Sequence, residues 1–230
     1  MSGGKAIGLI GGVGPGATLQ YYERLTRAFA ARGGPHPAMF ISHADVNITL
    51  DLSSRGELEA LARYLSGHIA ALKRAGADFA TISSILTHIC APELKRMIDT
   101  PLLDLIDCVR DELKARSVKR VALLGTRFVM ERELFGRLDG FDLVRATPET
   151  IDYVHREYFK IVTAGKAEGS GFDYDGVRAV ARDYVRRGAD IVVLAGTELS
   201  LAFDEETCGF PALDCMRAHV AAIMAAAGPA

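Results

Sequence analysis

The 230-residue chain has four cysteines, Cys90, Cys108, Cys208 and Cys215, and no two of them form a C-x-x-C pair or sit in a histidine-rich neighbourhood. Neither a zinc ribbon nor a disulfide framework is suggested, and each cysteine reads as a small buried hydrophobe. No uninterrupted apolar run approaches the ~20 residues of a membrane-spanning helix. The opening Met1-Ser2-Gly3-Gly4-Lys5 lacks the basic-then-apolar shape of a signal peptide. Cytoplasmic residence without a membrane partner is expected. Charge of neither sign is in excess: 27 Lys and Arg face 29 Asp and Glu, a formal net charge of -2. Without a global basic field to hold a phosphate backbone, nucleic acid is not an expected partner. A composition of 49% hydrophobic and 24% charged residues carries no bias towards disorder, collagen-like repetition or coiled coil. At roughly 150 residues per domain, the length admits one large domain or two small ones.

What the sequence does hold is alternation. Lys5 to Gly11, Ala38 to Ala44, Phe79 to Ser83, Val118 to Gly125, Phe141 to Ala146 and Asp190 to Ala195 read as short buried strands. Thr18 to Ala31 reads as a helix. Ser54-Arg55-Gly56-Glu57 spells a capping box leading into Leu58, Leu61, Leu65, Ile69 and Leu72 at helical spacing. Strand, helix, strand in this rhythm predicts an α/β fold of parallel strands joined by right-handed crossovers, with helices on both faces. The chain also echoes itself. Gly76-Ala77-Asp78-Phe79 returns as Gly188-Ala189-Asp190-Ile191, Lys5 to Gly11 as Lys119 to Gly125, and Thr100-Pro101-Leu102-Leu103-Asp104 as Phe210-Pro211-Ala212-Leu213-Asp214. A period of roughly 110 residues is too long for a solenoid and suits two pseudo-symmetric α/β lobes with parallel sheets flanked by helices. The first lobe is expected over residues 1-102 plus 208-230 and the second over 103-207. Ligands in open α/β sheets bind beyond the carboxyl ends of strands, so a cleft between the lobes is expected to collect Ser83 to His88 and Ala195 to Leu199.

Three segments carry chemistry. Gly11-Gly12-Val13-Gly14-Pro15-Gly16-Ala17-Thr18 follows a strand and opens a helix, and Gly12, Gly14 and Ala17 satisfy G-x-G-x-x-A. A dinucleotide site also needs an acidic residue about twenty positions on, and the nearest candidate, Asp45, lies farther away behind a Gly/Pro loop. Glycines that allow close backbone approach, with the unpaired N–H groups of a first helical turn, suit a carboxylate or phosphate; a plain tight turn is the alternative. Ser83-Ser84-Ile85-Leu86-Thr87-His88 combines hydroxyls with a histidine but has no G-x-S-x-G elbow, and such serines also serve as helix caps. Ala195-Gly196-Thr197-Glu198-Leu199 places a carboxylate at the mirrored strand end, either as general acid or base or as a bridge to backbone amides. Asp173-Tyr174-Asp175 is short of a hard-metal ligand set and reads as part of a mobile loop or lid, and His155 reads as packing against Tyr153, Tyr158 and Phe159.

Taken in order, these segments resemble the aspartate/glutamate racemase family. Its opening I-G-x-x-G-G-M-G-P-x-x-T appears as Ile7 through Thr18 with Val13 in place of Met, and its L-L-G-T-R-x-x-M as Leu123 through Met130. V-H-x-x-x-Y/F appears as Val154-His155 through Phe159, and T-E-L as Thr197-Glu198-Leu199. The resemblance implies that family's fold, no metal, nucleotide or pyridoxal cofactor, and a small-molecule carboxylate substrate, and it admits a homodimer. It implies a substrate surrounded by Gly12, Val13, Gly14, Asn47, Ser83, Ile85, Thr87, Thr126 and Gly196, with Ser84, His88, Thr197 and Glu198 in the chemistry.

The departures matter as much. Where the family pattern has P-C-N-T-A-H and G-C-T-E, this chain has Ser83 to His88 and Ala195-Gly196-Thr197-Glu198, so Ser84 and Gly196 stand in the two cysteine positions. Two-base racemisation needs a proton acceptor and a proton donor on opposite faces of the substrate, both with pKa values within reach of neutral pH. A thiol, at about 8.5, can be tuned to that task, whereas a serine needs strong activation and a glycine has no side chain. The expectation is an enzyme with altered, non-thiol chemistry of lyase or isomerase type on a small carboxylate, with an aromatic or alkyl one favoured by Ile85 and Leu86 in place of polar residues. The alternatives are an amino-acid racemase using unconventional acid/base residues and a non-catalytic carboxylate-binding protein.

Overall fold

The computed structural model describes residues 4–228, so Met1-Ser2-Gly3 of the opening segment lie outside the described residues. The chain divides into two compact units, one running to Leu105 and resuming at His219, the other spanning Ile106–Ala218.

In the first unit β1 (Ile7–Gly11) leads through α1 (Pro15–Arg32) to β2 (Met39–His43), and α2 (Val46–Ser54) and α3 (Leu58–Ala75) lead to β3 (Phe79–Ile82) and α4 (Ala91–Met97). The strands are parallel in the order β2-β1-β3. β1 is buried along its whole length, which is why its sequence is an apolar run without alternation. Leu61, Leu65, Ile69 and Leu72 of α3 are buried, as their spacing predicts. The expected capping box does not form. Ser54 is the last residue of α2 and its hydroxyl donates back to the Asp51 carbonyl, while α3 starts from Glu57 without a side-chain cap. The signal that starts α2 is Asp45, whose carboxylate accepts the Asn47 N–H at 2.8 Å.

α5 (Leu105–Ala115) opens the passage into the second unit, which continues through β4 (Arg120–Gly125), α6 (Arg127–Glu131), β5 (Asp142–Leu143), α7 (Pro148–Ala164), α8 (Tyr174–Arg186), β6 (Ile191–Ala195) and β7 (Ala212–Asp214). Its four strands are parallel in the order β5-β4-β6-β7. α9 (Cys215–Ala227) begins in this unit and ends in the first. The return lies at residue 219 rather than at 208 because Val192, Val193 and Leu194 pair with Ala212, Leu213 and Asp214, which holds the segment after Phe210 in the second sheet.

The sequence echoes have a physical basis. Asp78 accepts the Ala6 N–H at 2.7 Å and returns its own N–H to the Ala6 carbonyl at 2.9 Å. Asp190 accepts the N–H groups of Lys119 and Arg120 at 3.0 and 2.8 Å and returns its own to the Arg120 carbonyl. Those backbone donors hold the Asp190 carboxyl below the usual carboxylate range. In each unit the aspartate therefore fixes the register between two strands. The Pro101 and Pro211 carbonyls take equivalent bonds from Ala80 and Val192, both at 2.9 Å. The first unit's fourth position is reduced to a single bridge between Ala80 and Leu102. Among the described residues no helix is long and apolar enough to cross a membrane.

Candidate active site

In the first unit the turn after β1 is built on a close backbone approach. Gly12 has φ +86°, and a Cβ there would lie 2.4 Å from the Ala44 carbonyl oxygen. Thr18 organises this turn: its hydroxyl accepts the Gly12 N–H and donates to the Gly14 carbonyl, both at 3.0 Å. α1 carries no side-chain cap at Gly14 and no acidic residue in its first turn. Pro15 has no N–H, so the amides of Gly16 and Ala17 are the donors that the helix itself leaves unused at its positive end. Val13 and Gly14 are buried and Asn47 is exposed in the first turn of α2.

The strand-end segment Ser83 to His88 is mostly engaged in holding its own unit together. Ser83 is fully buried, with its hydroxyl 3.1 Å from both the Ile10 carbonyl and the Thr18 hydroxyl, so it pins the β3 end to the glycine turn. The Ser84 carbonyl accepts from the Thr87 hydroxyl at 3.0 Å and from His88 Nδ1 at 2.7 Å. Nδ1 therefore carries the ring proton, and Nε2 accepts the Leu105 N–H at 3.2 Å. With no exposed surface and both nitrogens committed to backbone groups, His88 sits as a brace rather than as the acid or base expected from sequence. Ile85 and Thr87 are likewise buried, and Leu86 is half-buried. The cysteine nearest to Ser84 in sequence offers no substitute thiolate: burial and the nearby Glu93 push the Cys90 thiol up to about 12.

Behind this segment lies a polar chain the sequence did not announce. Tyr21 on α1 meets His219 Nδ1 at 2.7 Å, and His219 Nε2 meets the Thr81 hydroxyl at 2.6 Å. Thr81 in turn donates to the Leu103 carbonyl at 3.0 Å. Complete burial, with His88 nearby, lowers the His219 pKa to about 3, so this ring is neutral.

In the second unit the ends of β4 and β6 lie side by side, with Gly125 paired to Ala195. This register brings Thr126 and Gly196 to neighbouring strand ends. The Thr126 hydroxyl is buried with no hydrogen-bond partner, an arrangement expected of a group that waits for a polar ligand or a water. His155 is more than a packing residue: its Nδ1 accepts the Arg127 N–H at 3.2 Å and so orients the start of α6, while its ring meets Phe159 edge-on. Burial, aided by the Arg127 charge, lowers its pKa. The stretch expected to be a mobile lid is tied down: Lys160 pairs with Glu157 at 2.8 Å and donates to the Gly171 carbonyl, and Glu157 accepts the Asp173 N–H at 2.9 Å. Asp173 caps α8 through the Gly176 N–H, and among the described residues no group of three or more His, Cys, Asp or Glu could hold a metal.

Beyond β6, Gly196 is followed by a 3-10 turn over Thr197–Leu201 that carries Thr197 and Glu198. Both are buried. Oε2 of Glu198 accepts from the Thr197 hydroxyl at 3.1 Å and from the Tyr158 phenol on α7. Burial raises the Glu198 pKa against the opposing effect of these donors. The ring of Tyr158 also fills the space beside Gly196, where a Cβ would lie 2.3 Å from Tyr158 Cε2. Sequence reading missed Tyr158, grouping it with packing aromatics: it falls on a variable position of the V-H-x-x-x-Y/F segment, whose aromatic position is Phe159, so no local signal marks it.

A model of the Asp/Glu/Hydantoin racemase family matches residues 10–223. The chain belongs to that family. The structure agrees: a candidate Asp/Glu racemase from Yersinia pestis is 26% identical, with 97% of this chain and 99% of that chain covered at a TM-score of 0.83. The aspartate racemase of Picrophilus torridus is 23% identical, with 99% and 96% covered and a TM-score of 0.79. More distantly, the fold also carries other chemistry. An arylmalonate decarboxylase is 15% identical over 97% of this chain and 93% of its own at a TM-score of 0.55. A maleate cis-trans isomerase from Nocardia farcinica is 14% identical over 96% and 92% at 0.58. This member of the family carries serine and glycine at 84 and 196, and a buried Tyr158–Glu198 pair beside Gly196.

Proposed function

We propose that this racemase-family protein is an enzyme that transfers a proton to or from one side of a small carboxylate substrate, as a lyase or an isomerase does, without thiol chemistry. The observation that carries this reading is Glu198: a buried carboxyl whose pKa is raised by burial, on the turn that follows an interior strand of its sheet. A carboxylic acid brought closer to neutral pH is the kind of group that general acid–base catalysis uses. The neighbouring Thr126 hydroxyl, buried and unpartnered, is assigned to a substrate oxygen. In the first unit, the uncapped start of α1, after the turn of Gly12, Val13 and Gly14, carries amides of the type that hold a carboxylate. Ser84, expected in the chemistry, is assigned here to holding a substrate oxygen, whereas Ser83 and His88 act through the backbone they brace.

Two-sided amino-acid racemisation is the competing reading, and the names of the similar structures favour it. It lacks a side chain at residue 196, and the adjacent space is taken by the Tyr158 ring. Proton NMR in D₂O with a panel of small carboxylates separates the two. The proposal expects a new product, or α-deuterium incorporation without inversion. Inversion of an amino acid's configuration would overturn it in favour of racemisation, and silence across the panel with ligand-induced thermal stabilisation would favour a binding protein.

A further inference from the structure

The α7 helix brings one more group to Glu198, and its geometry is specific. Gly196 has an extended backbone, with φ −166° and ψ 123°, which any residue adopts, so its lack of a side chain is not a conformational requirement. The requirement is steric. A Cβ at 196 would lie 2.3 Å from Cε2 of Tyr158 and 3.0 Å from both Cζ and the phenol oxygen. The ring is held in that place from both ends. Its backbone belongs to α7, whose adjacent Glu157 is locked to Lys160 and to the Asp173 N–H, and its hydroxyl is bonded to Glu198.

We propose that Tyr158 is the positioning residue for the Glu198 carboxyl: its ring takes the space a side chain at 196 would need, and its hydroxyl fixes Oε2 so that Oε1 is the oxygen that exchanges protons. The proposal rests on the reading of Glu198 as the proton-transfer group. A phenol has one proton to give, and here it goes to Oε2, which also accepts from Thr197. An oxygen that accepts two hydroxyl protons is the unprotonated one, so the acid proton resides on Oε1. Tyr158 remains a donor throughout, because burial and the facing carboxyl hold its pKa well above that of an ordinary phenol. Besides Glu198, the titratable group facing the phenol is the Cys215 thiol at the start of α9. The arrangement explains why glycine is tolerated at 196: the proton-handling apparatus of this strand end comes from α7 and the following turn instead of from residue 196.

Infrared difference titration of the full chain tests this without knowledge of the substrate. The carbonyl stretch of protonated Glu198 is assigned by its disappearance in Glu198→Gln and followed with pH in the wild-type protein and in Tyr158→Phe. Phe keeps the ring and removes the donor that stabilises the anion, so the midpoint is expected to rise by at least about one pH unit, a tenfold gain in proton affinity. A folded Tyr158→Phe protein that titrates where the wild type does would overturn the proposal. A second measurement leaves Tyr158 intact: the Cζ resonance of Tyr158 in ¹³C-tyrosine-labelled protein is expected to shift with the Glu198 midpoint and to lose that transition in Glu198→Gln. A resonance indifferent to Glu198 overturns the proposal as well. Failure of the functional reading has a different signature, since substrate turnover would survive Glu198→Gln while both titrations behaved as described.

Discussion

Gly196→Cys is expected to destabilise the protein by roughly 2–6 kcal/mol and to yield no racemisation. The substitution adds a Cβ where Tyr158 Cε2 lies 2.3 Å away, and the neighbour is an aromatic ring anchored on a helix rather than the end of a flexible chain. Overpacking of this kind costs about 1–3 kcal/mol. Displacing the ring also takes the phenol from a buried carboxyl, and leaving such a group without its donor costs about 1–3 kcal/mol more. Urea unfolding measures the sum. A Tyr158→Ala change in the same chain is expected to recover most of the packing part, because it empties the space. A Gly196→Cys protein as stable as the wild type would mean that the ring does not occupy that space. A side chain at 196 is therefore accommodated only with a second change at 158.

The second large effect is loss of stability in acid. His219 is buried and neutral, with a pKa lowered to about 3, against about 6.5 in an unfolded chain. Between those values the unfolded state binds a proton that the folded state does not, so stability rises with pH across the window. The contribution is complete above pH 6.5 and disappears as pH falls towards 3, at about 1.4 kcal/mol per unit and at most about 5 kcal/mol in total. His155 and His68, also lowered by burial, act in the same direction. Glu198, whose folded pKa is raised, acts oppositely, because its contribution is lost as pH rises. Urea titrations at several pH values, repeated with His219→Gln, isolate the term. The variant is expected to be less stable at neutral pH and to show a shallower slope between pH 3 and 6.5. An unchanged slope would contradict the assignment of a neutral His219.

The elements legible in the sequence are those governed by local or repeated signals. The β1 run, the α3 leucine spacing and the Gly-Ala-Asp echoes each correspond to one observed feature: a wholly buried central strand, a buried helix face, and aspartates that tie neighbouring strands. The return was expected near 208 because the Phe210 to Asp214 echo was assigned to the first lobe, whereas its pairing with β6 holds it in the second sheet. At the site, motif position identified Glu198 and Thr126 as residues of interest, but not their condition. His88 resembles an acid or base in one dimension and becomes a brace when Leu105, far along the chain, donates to it. Tyr158 has the converse history. Nothing local distinguishes it from Tyr153 or Phe159; its role follows from facing a glycine 38 positions later, a relation that arises only once α7 packs against the β6 end.

The most direct test of the account is the rate of α-deuterium incorporation or product formation for wild type and Glu198→Gln, compared by proton NMR on the same carboxylates. Gln keeps the size and the two hydroxyl donors' acceptor but holds no exchangeable acid proton of comparable pKa. The account predicts a fall of about 10²–10⁴-fold, the usual contribution of a positioned general acid or base, with an unchanged fold by circular dichroism. A Glu198→Gln protein that exchanges protons as fast as the wild type would contradict it.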